Sequence, residues 1–488
     1  MSLRVILRIL GLLLMLFSLT MLPPILISLW FRDGVWEAFM SGIGITVVTG
    51  LILYLPNRKA QKELRIRDGF IIAAMFWTVL ALFGSLPLML FGADSLSLTD
   101  AVFESFSGLT TTGATVITGI DFLPESILYY RQQLQWLGGM GIVVLAVAIL
   151  PTLGVGGMAL YRTEIPGPLK DSKLTPRITE TAKALWYIYA ALTVTCMVAY
   201  MAAGMNWFDA LGHSFSTVAI GGFSTYDASI GHFDNATIEL ICIAFMLISA
   251  LSFSLHFMAW REKSLSHYFQ DPEARFLLLF LLGLTTVTVV SLWLTGTYDT
   301  QLGLRHGLFE VVSVATTAGF AVADFSVWPG ALPFLLFMAA FVGGCSGSTG
   351  GGMKVIRIIL IIKQGMREIM RLIHPNAVIA VKIGKVSVPD GIAQAVWGFF
   401  SAYVMLFFLM LVGVMATGVD QVTAWSTVGS ALNNLGPALG EASGHYGDLP
   451  ALAKWILVLA MLLGRLEIIV WLLVFYPRAW IGRRKGEE

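Results

Sequence analysis

One short polar pattern recurs four times along this chain and limits what it can fold into. The stretches SGLTTTGA, STVAIGGF, SVATTAGF and SALNNLGP superpose without a gap on one glycine each: Gly113, Gly222, Gly319 and Gly436. A serine stands six residues before every glycine, at Ser107, Ser216, Ser313 and Ser430. The glycines are 109, 97 and 117 residues apart, which makes the repeating unit about 100 residues long. Each unit reads as an apolar run, a semi-apolar segment of about twelve residues too short to cross a membrane, the glycine stretch, and a second apolar run.

The apolar runs fall at about 3–31, 35–56, 69–92, 128–160, 179–204, 236–260, 275–296, 330–362, 391–417 and 450–477. Most exceed the ~18–20 residues that span the hydrocarbon core as a helix. Of the 488 residues 57% are hydrophobic and 12% charged, where a soluble chain would have about twice that charged fraction. The sequence therefore predicts an all-α polytopic membrane protein with ten transmembrane helices: two N-terminal helices, then four span–loop–span repeats. The corresponding segments are 1–67, 68–165, 178–265, 273–364 and 388–480. The basic start resembles a leader, but its apolar part is too long and no small-residue cleavage site follows. It reads as a first span kinked near Pro23 and Pro24. Cys196, Cys242 and Cys345 lack metal-ligand spacing and read as packing residues with free thiols. A net charge of +1 gives no pointer to nucleic acid.

Connections 57–68, 161–183, 261–275 and 363–390 and the C-terminal tail are rich in Lys and Arg. The alternate connections hold Asp94, Asp100, Asp121, Asp209, Asp227, Asp234, Asp299, Asp324, Asp420, Glu441 and Asp448. By the positive-inside rule both termini are cytoplasmic. Any one of these acids reads as an ordinary loop residue; together they bias an outer mouth toward cations.

A twelve-residue segment between two spans suggests a re-entrant half-helix, and irregular backbone at membrane depth needs a protein or aqueous neighbour. Four such hairpins around one axis form a pore from a single chain. An extended strand turning at glycine can aim carbonyl oxygens at that axis, and rings of oxygens replace the hydration shell of a monovalent cation. The helices' partially negative C-termini would face the cavity. The competing reading is four loops of duplicated structural units without an ion site.

This plan resembles the Trk/Ktr/HKT superfamily of potassium transporters over essentially the whole chain. The two extra N-terminal spans, the TTTGAT loop and the length are most similar to its bacterial TrkH branch. The resemblance implies a selectivity filter of Thr110, Thr111, Thr112 and Gly113; Ala219, Ile220, Gly221 and Gly222; Thr316, Thr317, Ala318 and Gly319; and Asn433, Asn434, Leu435 and Gly436. It implies a quasi-four-fold filter, since the fourth copy lacks threonine, and one critical glycine per copy where tetrameric potassium channels have two in TVGYG. Less stringent selectivity is the expected consequence. Superfamily members with serine in place of such a glycine tend to favour sodium.

Residues 341–354, FVGGCSGSTGGGMK, interrupt what should be the second span of the third repeat. A run holding Gly343, Gly344, Cys345, Ser346, Gly347, Ser348, Thr349, Gly350, Gly351 and Gly352 does not sustain a helix. It lacks the G-K-[S/T] of a phosphate loop. Glycine-mediated helix packing is one reading; an irregular intramembrane loop that moves aside is the other, and in the resembled family this loop is the gate. Beyond it, Lys363, Arg367 and Arg371 follow one helical face. They read either as headgroup-snorkelling residues or as a docking surface for the cytosolic nucleotide-binding regulatory subunit (TrkA-like) that the resemblance implies. Arg465 and Glu467 lie inside the last apolar run, where an unpartnered arginine costs at least ~2.5–3.5 kcal/mol. The resemblance makes Arg465 a pore residue near the gate, and a structural salt bridge to another helix is the alternative. His213, His256, His267 and His306 show no metal spacing and read as loop or interface residues.

Taken together, the expectation is the pore-forming subunit of a bacterial inner-membrane potassium uptake system. It would be a homodimer among lipids, with potassium as its ion, no organic cofactor and no catalytic residues. An ion-coupled potassium symporter is the rival reading. A membrane-embedded enzyme would need a nucleophile with its base or a metal cluster, and neither is legible.

Overall fold

The computed structural model describes residues 3–60, 66–92, 95–144, 178–384 and 386–466. Asp94, Lys173, Glu467, residues 161–177 of the basic connection and the C-terminal tail lie outside the described residues. The chain is mostly helical, with one two-stranded hairpin among the described residues.

α1 (Leu3–Ser18) and α2 (Leu22–Phe31) form one rod interrupted by a single 3-10 turn, Leu19–Met21. Pro23 and Pro24 open α2, where a missing N–H is tolerated. This rod packs on α3 (Trp36–Tyr54) through Gly11 and Gly50; a Cβ on Gly11 would lie 2.6 Å from the Gly50 carbonyl oxygen. α4 (Ile66–Gly84) and the short α5 (Leu86–Leu90) lead to the first repeat pair, α6 (Leu98–Leu109) and α7 (Glu125–Val144). α8 (Ile178–Ala202), α9 (Trp207–Ala219), α10 (Ala236–Ala250), α11 (Phe253–Glu262) and α12 (Ser266–Gln270) follow. The third repeat holds α13 (Pro272–Leu294), α14 (Thr300–Ala315), α15 (Leu332–Ala339) and α16 (Val355–Ile373). After β1 (Lys382–Ile383) and β2 (Val386–Ser387), antiparallel with Ile383 opposite Val386, come α17 (Asp390–Met415), α18 (Gln421–Asn433) and α19 (Ala451–Arg465).

Leu3–Phe31, Trp36–Asn57, Ala182–Ala202, Pro272–Leu294 and Asp390–Met415 are long and apolar enough to cross a membrane. Their outer faces expose Trp30, Leu279, Leu294 and Leu409, while Thr110, Thr111, Thr112, Glu104 and Arg131 are buried inside. Apolar outside and polar inside is the arrangement of a chain solvated by lipid, and this is a membrane protein. Two hydrophobic cores flank the centre: one gathers the N-terminal rod with the first and fourth repeats, the other the second and third.

The run at 236–260, expected as one span, instead bends by 94° between α10 and α11. Its cause is the glycine-rich run of the third repeat. Cys345 N donates to Ala250 O (2.8 Å) and Phe253 N to Gly347 O (3.0 Å), so backbone groups freed by the break are satisfied by that loop.

A candidate cation pathway

Four short helices, α6, α9, α14 and α18, begin alike. Each has a side-chain N-cap, from Ser97, Asn206, Asp299 and Asp420, that accepts a backbone N–H of the first turn. They also end alike. Thr111, Ile220, Thr317 and Asn434 take left-handed conformations, with φ of 54°, 53°, 66° and 52°. Three of these are β-branched, for which that region is strained, and such strain persists only where the surroundings impose it. Two residues later Gly113, Gly222, Gly319 and Gly436 have φ of 81°, 81°, 77° and 99°, which glycine alone adopts freely.

Between the two turns the same bond recurs. Thr112 N, Gly221 N, Ala318 N and Leu435 N donate to the carbonyl oxygens of Ser107, Ser216, Ser313 and Ser430 at 2.8, 2.8, 2.8 and 2.9 Å. The recurring serine marks this anchor point, and it is fully buried in all four copies.

The four loops close into a ring. A Cβ built on Gly113 would lie 2.0 Å from Gly221 O, one on Gly222 2.3 Å from Ala318 O, one on Gly319 2.2 Å from Leu435 O, and one on Gly436 2.7 Å from Thr112 O. Each glycine thus faces the carbonyl that precedes the next loop's glycine, in cyclic order. A side chain at any of the four would collide with main chain. The fourth loop adds a side-chain link to the first, Asn434 Nδ2 donating to Thr112 Oγ1 at 3.0 Å. Tyr403 holds Asn433 Oδ1 at 2.8 Å.

Behind the ring, the residue nine before each glycine braces the outgoing strand in three copies. Glu104 accepts from Val116 N (3.0 Å) and Thr115 Oγ1, and forms a buried ion pair with Arg131 at 2.8 Å. His213 Nε2 meets Ser224 Oγ at 2.9 Å, and Glu310 accepts from Val322 N and Ala323 N at 2.8 and 3.1 Å. In the fourth copy Ser426 does this instead, pairing with Leu439 N and O. Sequence reasoning missed these residues. The available signal was a charge inside a semi-apolar run, Glu104 in FESFSG and Arg131 in YYRQQLQW. It also misread two histidines as loop or interface residues. His213 is buried on α9 and bonded to Asp209 O and Ser224, and His256 is buried on α11 against Tyr268 and Ile248 O.

Residues 340–354 are non-helical between α15 and α16, and 345–351 are buried. This run lies against the helix ends beneath the ring. Gly352 N donates to Asn433 O (3.0 Å), Gly351 N to Thr317 Oγ1 (2.6 Å) and Thr349 Oγ1 to Val218 O (3.0 Å). Ser346 N is anchored on Glu273 at 2.8 Å, and Lys354 donates to Gly350 O. Arg465, at the end of α19, donates from Nη1 to Thr349 O at 3.0 Å. No carboxylate bridges it among the described residues. Along α16, Arg367 is buried and paired with Asp390, and Lys363 donates to Lys382 O. Arg371 pairs with Glu368 on the same helix at 3.1 Å, so all three basic residues on that face are engaged within the chain.

The TrkH family profile, described as a cation transport protein, matches residues 36–480, which contain all four loops. The chain belongs to this family. It is 84% identical to the Trk system potassium uptake protein TrkH of Halomonas elongata over 98% of this chain and the whole of that one. It is 52% identical to the protein of the same name from Escherichia coli, again over 98% of this chain and all of that one. The crystal structure of the potassium transporter TrkH from Vibrio parahaemolyticus superposes with a TM-score of 0.91, at 51% identity, covering 99% of this chain and 100% of that one. TrkH-family proteins are transporters and not enzymes. The three cysteines are buried and take part in no disulfide. No cluster of metal-ligating His, Cys, Asp or Glu occurs among the described residues.

Proposed function

We propose that this chain is the pore-forming, potassium-selective subunit of a Trk-type uptake system in the bacterial inner membrane. The reading has ten spans, four re-entrant loops and both termini in the cytoplasm. Its filter is residues 110–113, 219–222, 316–319 and 433–436, and potassium exchanges its hydration shell for their carbonyl oxygens. The observation that carries it is the cyclic approach of Gly113, Gly222, Gly319 and Gly436 to the carbonyls of Gly221, Ala318, Leu435 and Thr112. Support also comes from the relatives, whose names state potassium uptake.

The loop 343–352 acts as the gate, held by Arg465, and a cytosolic nucleotide-binding regulatory subunit displaces it by pulling on α16. That helix exposes Met366, Ile369, Leu372 and Ile373. The protein works as a homodimer, as the resemblance implies. Purified protein in liposomes should carry potassium down its gradient, with sodium competing weakly. Equal competition by sodium would overturn the filter reading.

A further inference from the structure

The second loop has two adjacent glycines, Gly221 and Gly222, where the others carry Thr112, Ala318 or Leu435 before the ring glycine. Gly222 needs its positive φ. Gly221 is not among the positive-φ residues, so backbone conformation does not demand glycine there. Gln135 does. A Cβ at Gly221 would stand 2.4 Å from Gln135 Cδ and Oε1.

Gln135 comes from α7, in the preceding repeat, and is fully buried. Its Nε2 donates to Gly221 O at 2.6 Å, and its Oε1 accepts from Phe223 N at 3.1 Å. The side-chain amide pairs with the main chain on both sides of Gly222, as a neighbouring strand would. Gln132, one helical turn earlier, continues the pairing to Phe223 O at 3.3 Å. Gly221 O is also the oxygen that Gly113 faces. No side chain among the described residues donates to the equivalent oxygens of Thr112, Ala318 or Leu435. One carbonyl of the four is therefore pinned from behind.

We infer that Gln135 is a specificity-determining positioning residue. By fixing the Gly221 carbonyl it keeps the ring from contracting around a smaller cation, and so favours potassium over sodium. A hydrogen bond occupies one lone pair of that oxygen and leaves the other for an ion. The inference rests on the loops being the selectivity filter.

The test is the reversal potential of full-length protein in liposomes under opposed potassium and sodium gradients, with thermal stability measured on the same preparations. Gln135→Met keeps the length and loses both bonds. Gln135→Glu keeps the acceptor for Phe223 N and sets oxygen against the Gly221 carbonyl. Both should lower the potassium-to-sodium permeability ratio by about fivefold, the factor that goes with one net hydrogen bond. Gly221→Ala drives a methyl into the same amide from the other side and should shift the ratio the same way, which covers the case in which the Gln135 variants do not insert. A folded variant of this set with an unchanged ratio overturns the inference, including one that only loses stability or flux. Gly222→Ser is measured alongside. If it shifts the ratio while the Gln135 variants do not, the filter reading stands and this inference fails. If none shifts it, the filter reading itself fails.

Discussion

Arg465 reaches from the end of α19 to the carbonyl of Thr349 at 3.0 Å, tying the last described helix to the glycine-rich run beneath the ring. If that run blocks the pathway, Arg465 both latches it and sets a positive charge beside it. A cation passing within ~6 Å at an effective dielectric of ~20 meets about 2–3 kcal/mol of repulsion. Arg465→Ala should raise potassium flux in the absence of any partner protein, while Arg465→Lys, which keeps the charge, should stay near the parent. A destabilised Arg465→Ala protein with unchanged flux per folded molecule would mean that the arginine only holds helices together.

The seating of the loop can be loosened from its own side. A Cβ on Gly351 would lie 2.0 Å from Asn433 O, so Gly351→Ala must displace the loop or the end of α18. The expected outcome in a liposome flux assay is greater basal flux with the potassium-to-sodium ratio little changed. Reduced flux from normally inserted protein would assign the run to packing.

Asp420 caps α18 by accepting from Val422 N and Thr423 N at 2.9 and 3.1 Å. Hydrogen bonding from Thr423, by side chain first and then main chain, holds this carboxylate below its ordinary range. A depressed pKa in the folded state adds stability above the unfolded value of about 3.9 and loses it as pH falls through the folded one. Asp420→Ala should therefore cost about 1 kcal/mol of stability at neutral pH, and its difference from the parent should shrink below about pH 4. Thermal unfolding in detergent across that range checks the sign.

Membrane sidedness is tested by labelling. The side chains of Asp448 and Asp234 are 90% and 86% exposed, and cysteines placed there should react with an impermeant reagent from outside the cell. A cysteine at the exposed Val378, beyond α16, should react only from inside. The reverse pattern would break the orientation on which the pathway's two ends are assigned.

Much of the ring was legible because its chemistry is carried by glycines at fixed spacing, and positive φ leaves few other choices. The proline break in the first rod and the interruption of the third repeat were legible for similar reasons. The bend between α10 and α11 was not. Leu251 and Ser252 carry no breaker signal, and the break is stabilised by Cys345 and Gly347, almost a hundred residues away. Gln135, Glu104 and Arg131 were overlooked for a related reason. Their roles depend on which loop lies behind which helix, and hydropathy along the chain does not encode that. Gly221, the first glycine of IGGF, shows the limit well, since its cause is a glutamine in the preceding repeat.

The central claim is that the ring of main-chain oxygens selects the ion, and Gly113 tests it most directly. Serine there would push a Cβ toward Gly221 O, 2.0 Å away, at a backbone position with φ of 81°. The reversal potential of Gly113→Ser protein in liposomes, under opposed potassium and sodium gradients, reads the permeability ratio without depending on how much protein is open. The account predicts a ratio shifted toward sodium, with flux retained. A folded, conducting Gly113→Ser protein with the parent's ratio would contradict it.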